Sequence, residues 1–515
     1  MAVGGRALVR DVRTWARYAG RLPSFLRGRV TPVQARQEIE RTFAGRETAF
    51  LDVVERGVFT VAASPYRPLF ARAGAELGDV RAMVAADGLE ATLATLLDQG
   101  VAVSLDEFKQ RSAEFDNPLA RRHMYSTTGG SQTTPRRVGV DLDRVEHDSR
   151  HHALFRQGFE LGDRPFALWR AVPPSGSGIN NAFRQVRCGQ PVARWFNPYR
   201  RRRTAQDLQF GLFTAFTLGV AALCRAPLAR PELCPPGDAV RVARWLAARR
   251  AEGRPAVLDT QAGLAVRTCL AAEEHRLDIA GSLIRTGGES LTPSKARVAE
   301  RVGVRVVAHY SMTEVGRVAV ACTEPDATDD MHFLLDKLAV LTRADEGEDG
   351  ARTLVYTTLT TATPKLMINV DSGDRAHVSE RDCSCPYGRM GMRLHVHGVH
   401  ARDKLTSEGN LFLAGDLLTL VEQVLPASFG GAPTDYQLVE EEEDGLPKVS
   451  VVVRPSVGPL DDASVVGVVL AHLRAIPRLA LMAGIWEDGH TLRVVRREPE
   501  PTSRGKILAL RPAGA

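Results

Sequence analysis

Long apolar runs are missing from this 515-residue chain. No stretch approaches the ~18 consecutive apolar residues that a membrane helix needs, so no membrane span is expected. Aromatic residues make up only 6%, and no aromatic-interleaved basic stripe, zinc-finger spacing or recognition-helix pattern occurs, which argues against a nucleic-acid partner. A strong charge of one sign is lacking too, because 67 basic residues face 61 acidic ones for a formal +6. The surplus is mostly arginine, and a run such as Arg200 to Arg203 reads as solvated surface before it reads as a contact for nucleotide or CoA phosphates. Between the scattered arginines of the first thirty residues there is no uninterrupted apolar core, so a secretory signal is not expected; Leu8, Val12, Trp15, Ala19 and Leu22 instead recur at helical intervals. Seven cysteines, an odd number, then point to free thiols in a reducing compartment, the cytoplasm.

What is present fits a globular enzyme of several parts. Hydrophobic residues reach 44% and charged residues 25%, and the length suggests two to four structural units. Residues 1–115 read as mainly helical, with apolar-periodic runs at 31–55 and 81–98 broken by Pro65 and Pro68. Residues 116–402 alternate strand-like runs (302–309, 354–358) with helical ones (205–223, 239–251), the pattern of an α/β body. Residues 403–515 change character. Two strands near 436–439 and 449–453, an acidic turn at 440–445 and a helix over 462–475 make a small α+β unit, with the boundary at Arg402-Asp403.

Four motifs carry chemistry. Ser126-Thr127-Thr128-Gly129-Gly130-Ser131 packs hydroxyls around two glycines, a loop whose N–H and O–H groups can converge on phosphate oxygens; taken alone it is more often a surface loop. Gly287-Gly288-Glu289 precedes a helix over 294–301 and a strand over 302–308, which leads into Tyr310-Ser311-Met312-Thr313-Glu314. That order brings two loops to one sheet edge, with glycine backbone for close approach, a Tyr310 ring for stacking on a base and Glu314 oxygens for Mg²⁺. Asp374, expected just past a strand, can accept both hydroxyls of a ribose. Lys506, behind Gly505 near the carboxyl end, can bring positive charge to a developing transition state.

Together these motifs resemble the adenylate-forming superfamily, within it the phenylacetate-CoA ligase-like branch, in the expected order from about residue 120 to 515. By that resemblance Gly288-Glu289 and Tyr310 bind adenine, Thr313 and Glu314 belong to the family's Thr-Glu block, Asp374 binds ribose, Arg402-Asp403 is the hinge and Lys506 is the adenylation lysine. Three positions depart from the pattern. The phosphate loop lacks a glycine ahead of its threonine pair, Ser311 stands where glycine is usual, and Asp371 occupies the place of an arginine. Cys322, His332, Cys383 and Cys385 form a Cys₃His set suited to structural zinc, with free buried cysteines as the alternative. His395, His397 and His400 invite a metal reading, but without neighbouring carboxylates in sequence they read as structural.

The reading that follows is ATP-dependent activation of a carboxylic acid to its acyl-adenylate, with release of pyrophosphate and transfer to CoA. A non-CoA acceptor (an amine, a carrier-protein thiol or an inorganic nucleophile) and a non-catalytic nucleotide-binding module are the rivals. The implied partners are a small acid, ATP, Mg²⁺, CoA and a second copy of the chain. The acid pocket is expected from 169–196 and the strand and loop ahead of Gly287, with 173–178 as a bordering loop.

Overall fold

The computed structural model describes residues 2–120, 124–127, 137–140, 142–173, 175–199, 205–344, 350–401, 404–407, 410–476, 479–500 and 510–511. Its helices begin where local chemistry caps them. Thr31 and Gln34 form a reciprocal capping box ahead of Pro32, which starts the helix Pro32–Ala44. The helices Arg46–Val54, Arg67–Arg72 and Leu77–Asp98 follow; Pro65 lies in the expected break, whereas Pro68 stands in the first turn of the helix Arg67–Arg72. The first helix, Ala2–Arg27, lies on the body, with Tyr18, Leu22, Phe25 and Leu26 buried.

Twelve strands among the described residues form one sheet of two characters. The parallel half runs from the edge through Pro231–Leu233, Arg194–Asn197, Phe166–Trp169, Val257–Thr260, Leu283–Thr286 and Arg305–Met312. Phe166–Trp169, Val257–Thr260 and Leu283–Thr286 are buried along their whole length, as parallel strands covered on both faces must be. One face packs against Leu142–Gly158 and Gly176–Arg187, the other against Ala239–Ala251 and Ala262–Glu274. Past Arg305–Met312 the sheet turns antiparallel through Gly316–Ala321, Met331–Phe333, Leu394–Ala401, Val370–Glu380, Arg352–Thr358 and Leu338–Arg343.

The last section has its own core of Leu417, Leu438, Val451, Val469, Leu473 and Trp486, among others. Its four-stranded sheet pairs Tyr436–Glu443 with Leu446–Val453, flanked by Leu492–Arg496 and Leu510–Arg511, and the helices Asp462–Ala475 and Ala480–Asp488 complete it. The expected acidic turn is narrower than the sequence suggests. Glu440 to Glu443 pair with Leu446 to Val449 as strand, leaving Asp444-Gly445 as the turn, both with positive φ. This hairpin end rests on the body: a side chain at Gly445 would meet Lys295 and Val298, and Glu442 accepts from the Thr292 hydroxyl.

Two further expectations shift. The strand expected from Val302 begins at Arg305, because Gly303 takes a left-handed φ of +67° and turns the chain after the helix Pro293–Arg301. The segment 173–178 is not simply a loop, since Ser175 caps the helix Gly176–Arg187 with its hydroxyl on the Ser177 N–H. Gly178 lets that helix sit close, as a Cβ there would lie 2.4 Å from the Trp195 ring and 2.5 Å from the Ala171 carbonyl.

Candidate active site

The antiparallel half of the sheet curls, and the curl builds the site. Tyr310 and Asp374 lie on strands four places apart in the sheet, which a flat sheet would hold ~19 Å from each other. Yet the Tyr310 hydroxyl donates a hydrogen bond to the Asp374 carboxylate, and the Tyr310 ring lies 6.5 Å from Tyr356. Burial and the neighbouring carboxylate raise the Tyr310 phenol well above its usual value, so it stays a donor across the physiological range. Asp374 sits inside Val370–Glu380 rather than just past a strand. Its position is set by Gly373, with φ +76° and its N–H on the Asp371 carboxylate 2.8 Å away; a Cβ there would strike Leu105 at 2.2 Å. Asp371, which stands where the resemblance wants an arginine, pairs with Arg343 at 2.7 Å.

The glycine loop lies at the end of the neighbouring parallel strand. Gly287 packs on His309, where a Cβ would fall 2.8 Å from both Nε2 and the carbonyl oxygen, and Gly288 has φ +92°. Arg170 donates to the Gly287 carbonyl at 2.8 Å, and Glu289 accepts from the Gly263 N–H at 2.6 Å, at the start of the helix Ala262–Glu274. Thr313 and Glu314 form the turn into Gly316–Ala321, Thr313 exposed and Glu314 half-buried. Ser126 and Thr127 end the strand Met124–Thr127. Thr128, Gly129, Gly130, Ser131, Arg402 and Lys506 lie outside the described residues, as do Arg200 to Arg203.

Directly beneath these loops lies a buried charged layer that no motif announced. Asp259 accepts from Arg170 at 2.7 Å and from Arg285 at 2.6 Å. Asp148 receives Lys337 and Arg184, both at 2.9 Å, and Arg144 at 3.3 Å. Asn181 joins the two halves, its Oδ1 accepting from Arg184 and Arg285. Arg317 lies among them 1% exposed, and its Nε and Nη2 have no partner. Burial and the surrounding arginines pull Arg317 and His309 well below their usual pKa values, so His309 is neutral; its Nδ1 is buried and unpartnered. The residues come from two helices, four strands and two connecting segments, and no local sequence pattern is common to them.

A third cluster matches the sequence reading. One atom from each of Cys322, His332, Cys383 and Cys385 falls within 4.8 Å of every other. His332 Nε2 lies 3.0 Å from the Cys385 sulfur and 3.4 Å from that of Cys383, while its Nδ1 is engaged by the Met392 carbonyl at 2.9 Å, which leaves Nε2 free to ligate. The N–H groups of Glu324 and Gly388 point at the Cys322 and Cys385 sulfurs, both at 3.4 Å. His395 turns out to have a carboxylate neighbour, Asp330 at 2.9 Å, brought from 65 residues away.

No family model matches this sequence, and no curated protein sequence does either. Solved structures do. A 2-hydroxyisobutyryl-CoA ligase in complex with 2-HIB-AMP and CoA, in its thioesterification state, matches 91% of this chain over 90% of its own length, with a TM-score of 0.56 and 16% identity. The same ligase in its post-adenylation state matches 94% of this chain and 90% of its own, with a TM-score of 0.46 and 16% identity. The chain therefore shares the fold of that 2-hydroxyisobutyryl-CoA ligase, with a large α/β body followed here by a smaller α+β unit.

Proposed function

We propose that this chain is an AMP-forming acid ligase that activates a carboxylic acid with ATP and passes the acyl group to CoA. The observation that carries the reading is the meeting of Tyr310 with Asp374, beside the Gly287–Glu289 loop, across a curled sheet. A stacking ring, a carboxylate for two hydroxyls and a glycine loop of open backbone are the parts that adenosine recognition requires. The fold shared with a CoA ligase supports the same assignment.

In this reading the acid's carboxylate oxygen attacks the α-phosphorus of ATP. The new O–P bond forms as the bond to the bridging oxygen breaks, and pyrophosphate leaves. Thr128, Gly129, Gly130 and Ser131, with Ser126 and Thr127 before them, hold the outgoing phosphates. Glu314 would supply carboxylate oxygens to Mg²⁺, and Thr313 would orient the phosphate beside it. Lys506 neutralises charge at the phosphorus in the transition state. The 403–515 unit then swings about Arg402-Asp403, and the CoA thiol takes the acyl group while AMP leaves.

The Cys322, His332, Cys383 and Cys385 cluster suits structural zinc, as four N/S donors within a metal's reach, with an outer carbonyl fixing the histidine, are what tetrahedral coordination asks for. It would tie the strands Gly316–Ala321 and Met331–Phe333 to the 383–388 turn. The test of the function is acid-dependent exchange of pyrophosphate into ATP, followed by product mass with and without CoA. Exchange with an acyl-CoA product supports the ligase. Turnover to a non-thioester without CoA would overturn the acceptor, and absence of exchange with every acid would overturn the enzyme.

A further inference from the structure

The layer under the nucleotide face is electrostatically incomplete. Among the described residues it holds six buried cations, Arg144, Arg170, Arg184, Arg285, Arg317 and Lys337, against two buried carboxylates, Asp148 and Asp259. Counting Asp336, which faces His147 and His151 on the far side of Lys337, the positive charges still outnumber the negative by three. Unpaired charge in a dry interior is among the costliest things a fold can contain, and evolution retains it where something else completes it. Arg317 Nε and Nη2, Arg184 Nε and His309 Nδ1 are among the buried polar atoms with no partner among the described residues.

These atoms lie close beneath the residues proposed to hold the nucleotide. His309 immediately precedes Tyr310 and backs Gly287, and Arg317 follows the Thr313-Glu314 turn by three residues. Gly316 lies between, and a Cβ on it would come within 2.6 Å of Arg144 and 3.0 Å of Asp148, so the layer touches the underside of that turn. The helix Gly176–Arg187 supplies Arg184 and Asn181 from the opposite side and is held close by Gly178. An acid whose reacting carboxylate sits at the turn would extend its remaining atoms into this layer.

We propose that the acid activated here carries a second carboxylate, which Arg317, Arg184 and His309 receive beneath the nucleotide face. The second carboxylate offers up to four acceptor sites to donors that have none, and the planar fork of Arg317 suits a bidentate pair. An acid ending in a methyl or phenyl group would leave every one of those donors unsatisfied, so the site selects against neutral tails. The proposal rests on the adenylation reading for its chemistry, but not for its binding.

The experiment therefore has a binding arm and a turnover arm, both on the full chain. In the first, succinate, glutarate and adipate, their monomethyl esters and pyrophosphate are compared for their shift of the thermal unfolding midpoint, without ATP. In the second, the same acids are compared in acid-dependent pyrophosphate exchange. At least one diacid should raise the midpoint by several degrees more than its monoester and be preferred in exchange by about 100-fold in kcat/KM. Arg317→Met should abolish that preference, and Arg317→Lys should retain part of it; the wild-type comparison stands even if neither variant folds. A diacid shift without exchange by any acid upholds the anion site and sinks the adenylation reading. Exchange by monoesters or neutral acids with no preference for diacids, or a shift from pyrophosphate but from no diacid, overturns the proposal.

Discussion

The nucleotide face and the layer beneath it are built in opposite ways. The proposed face is made of short contiguous motifs, half-exposed, where backbone and one or two side chains would do the recognition: Gly287 to Glu289, Tyr310 to Glu314, Asp374. The layer is made of ionic residues scattered over many elements, buried and tied to one another through Asp148, Asp259 and Asn181. A face of the first kind can lose a side chain without losing the fold. A layer of the second kind bears on both stability and selectivity, because each member's desolvation is offset only by the others.

The predictions separate the two. Lys506→Ala should lower the rate of adenylation by about 100- to 1000-fold with an unchanged unfolding midpoint, measured by single-turnover formation of AMP-ester; an unaltered rate would favour a non-catalytic nucleotide module. Cys385→Ser should release the metal and cost about 3 kcal/mol of stability, read as zinc content by mass spectrometry together with denaturant unfolding. Asp374→Ala should raise the KM for ATP about 30-fold, roughly 2 kcal/mol, at nearly constant stability, since its side chain is half-buried and serves the face. Gly178→Ala should do the reverse, costing about 2 kcal/mol in stability because the added carbon meets a ring and a carbonyl that cannot both yield.

The smallest effect is graded with pH and belongs to the edge of the layer. Burial pushes the His147 pKa down to about 3, and Asp336 is held down at about 2, chiefly by His151 and His147 against its own burial. A depressed folded pKa means that the unfolded chain takes up protons first, so stability is complete above pH ~6.5. It should fall as the pH drops toward 3, through His147 first and Asp336 below pH ~4, by at most ~1.4 kcal/mol per pH unit for each proton. His147→Gln should make the fall of the unfolding midpoint between pH 6.5 and 4 shallower, the remainder being carried by His152 and His309, which burial also holds below the usual histidine value.

The same contrast explains what could be read in advance. The helices at 205–223, 239–251 and 462–475 were legible to the residue because their apolar periodicity and flanking breaks are local. Gly288-Glu289 and Tyr310 stand out in sequence because their chemistry is concentrated in a few neighbouring positions, and the structure brings Cys322, His332, Cys383 and Cys385 together from two stretches of chain. The strand holding Asp374 reads as cut short in sequence, because the Asp371–Gly373 bulge looks like a strand end. Nothing local marks Arg317, Arg285 or Asp148. Their meaning depends on which residues face one another across the sheet, as it does for the Asp330 that partners His395. The 173–178 segment misled for a related reason: serine and glycine suit a loop, but here they cap a helix and permit its close approach.

The most direct test of the whole account is a crystal structure of the chain with AMP bound. The account predicts the adenine against Tyr310 beside the Gly287–Glu289 loop and both ribose hydroxyls on Asp374, whose bond from Tyr310 is then shared or broken. AMP seated elsewhere, with the Tyr310–Asp374 pair untouched, would contradict it.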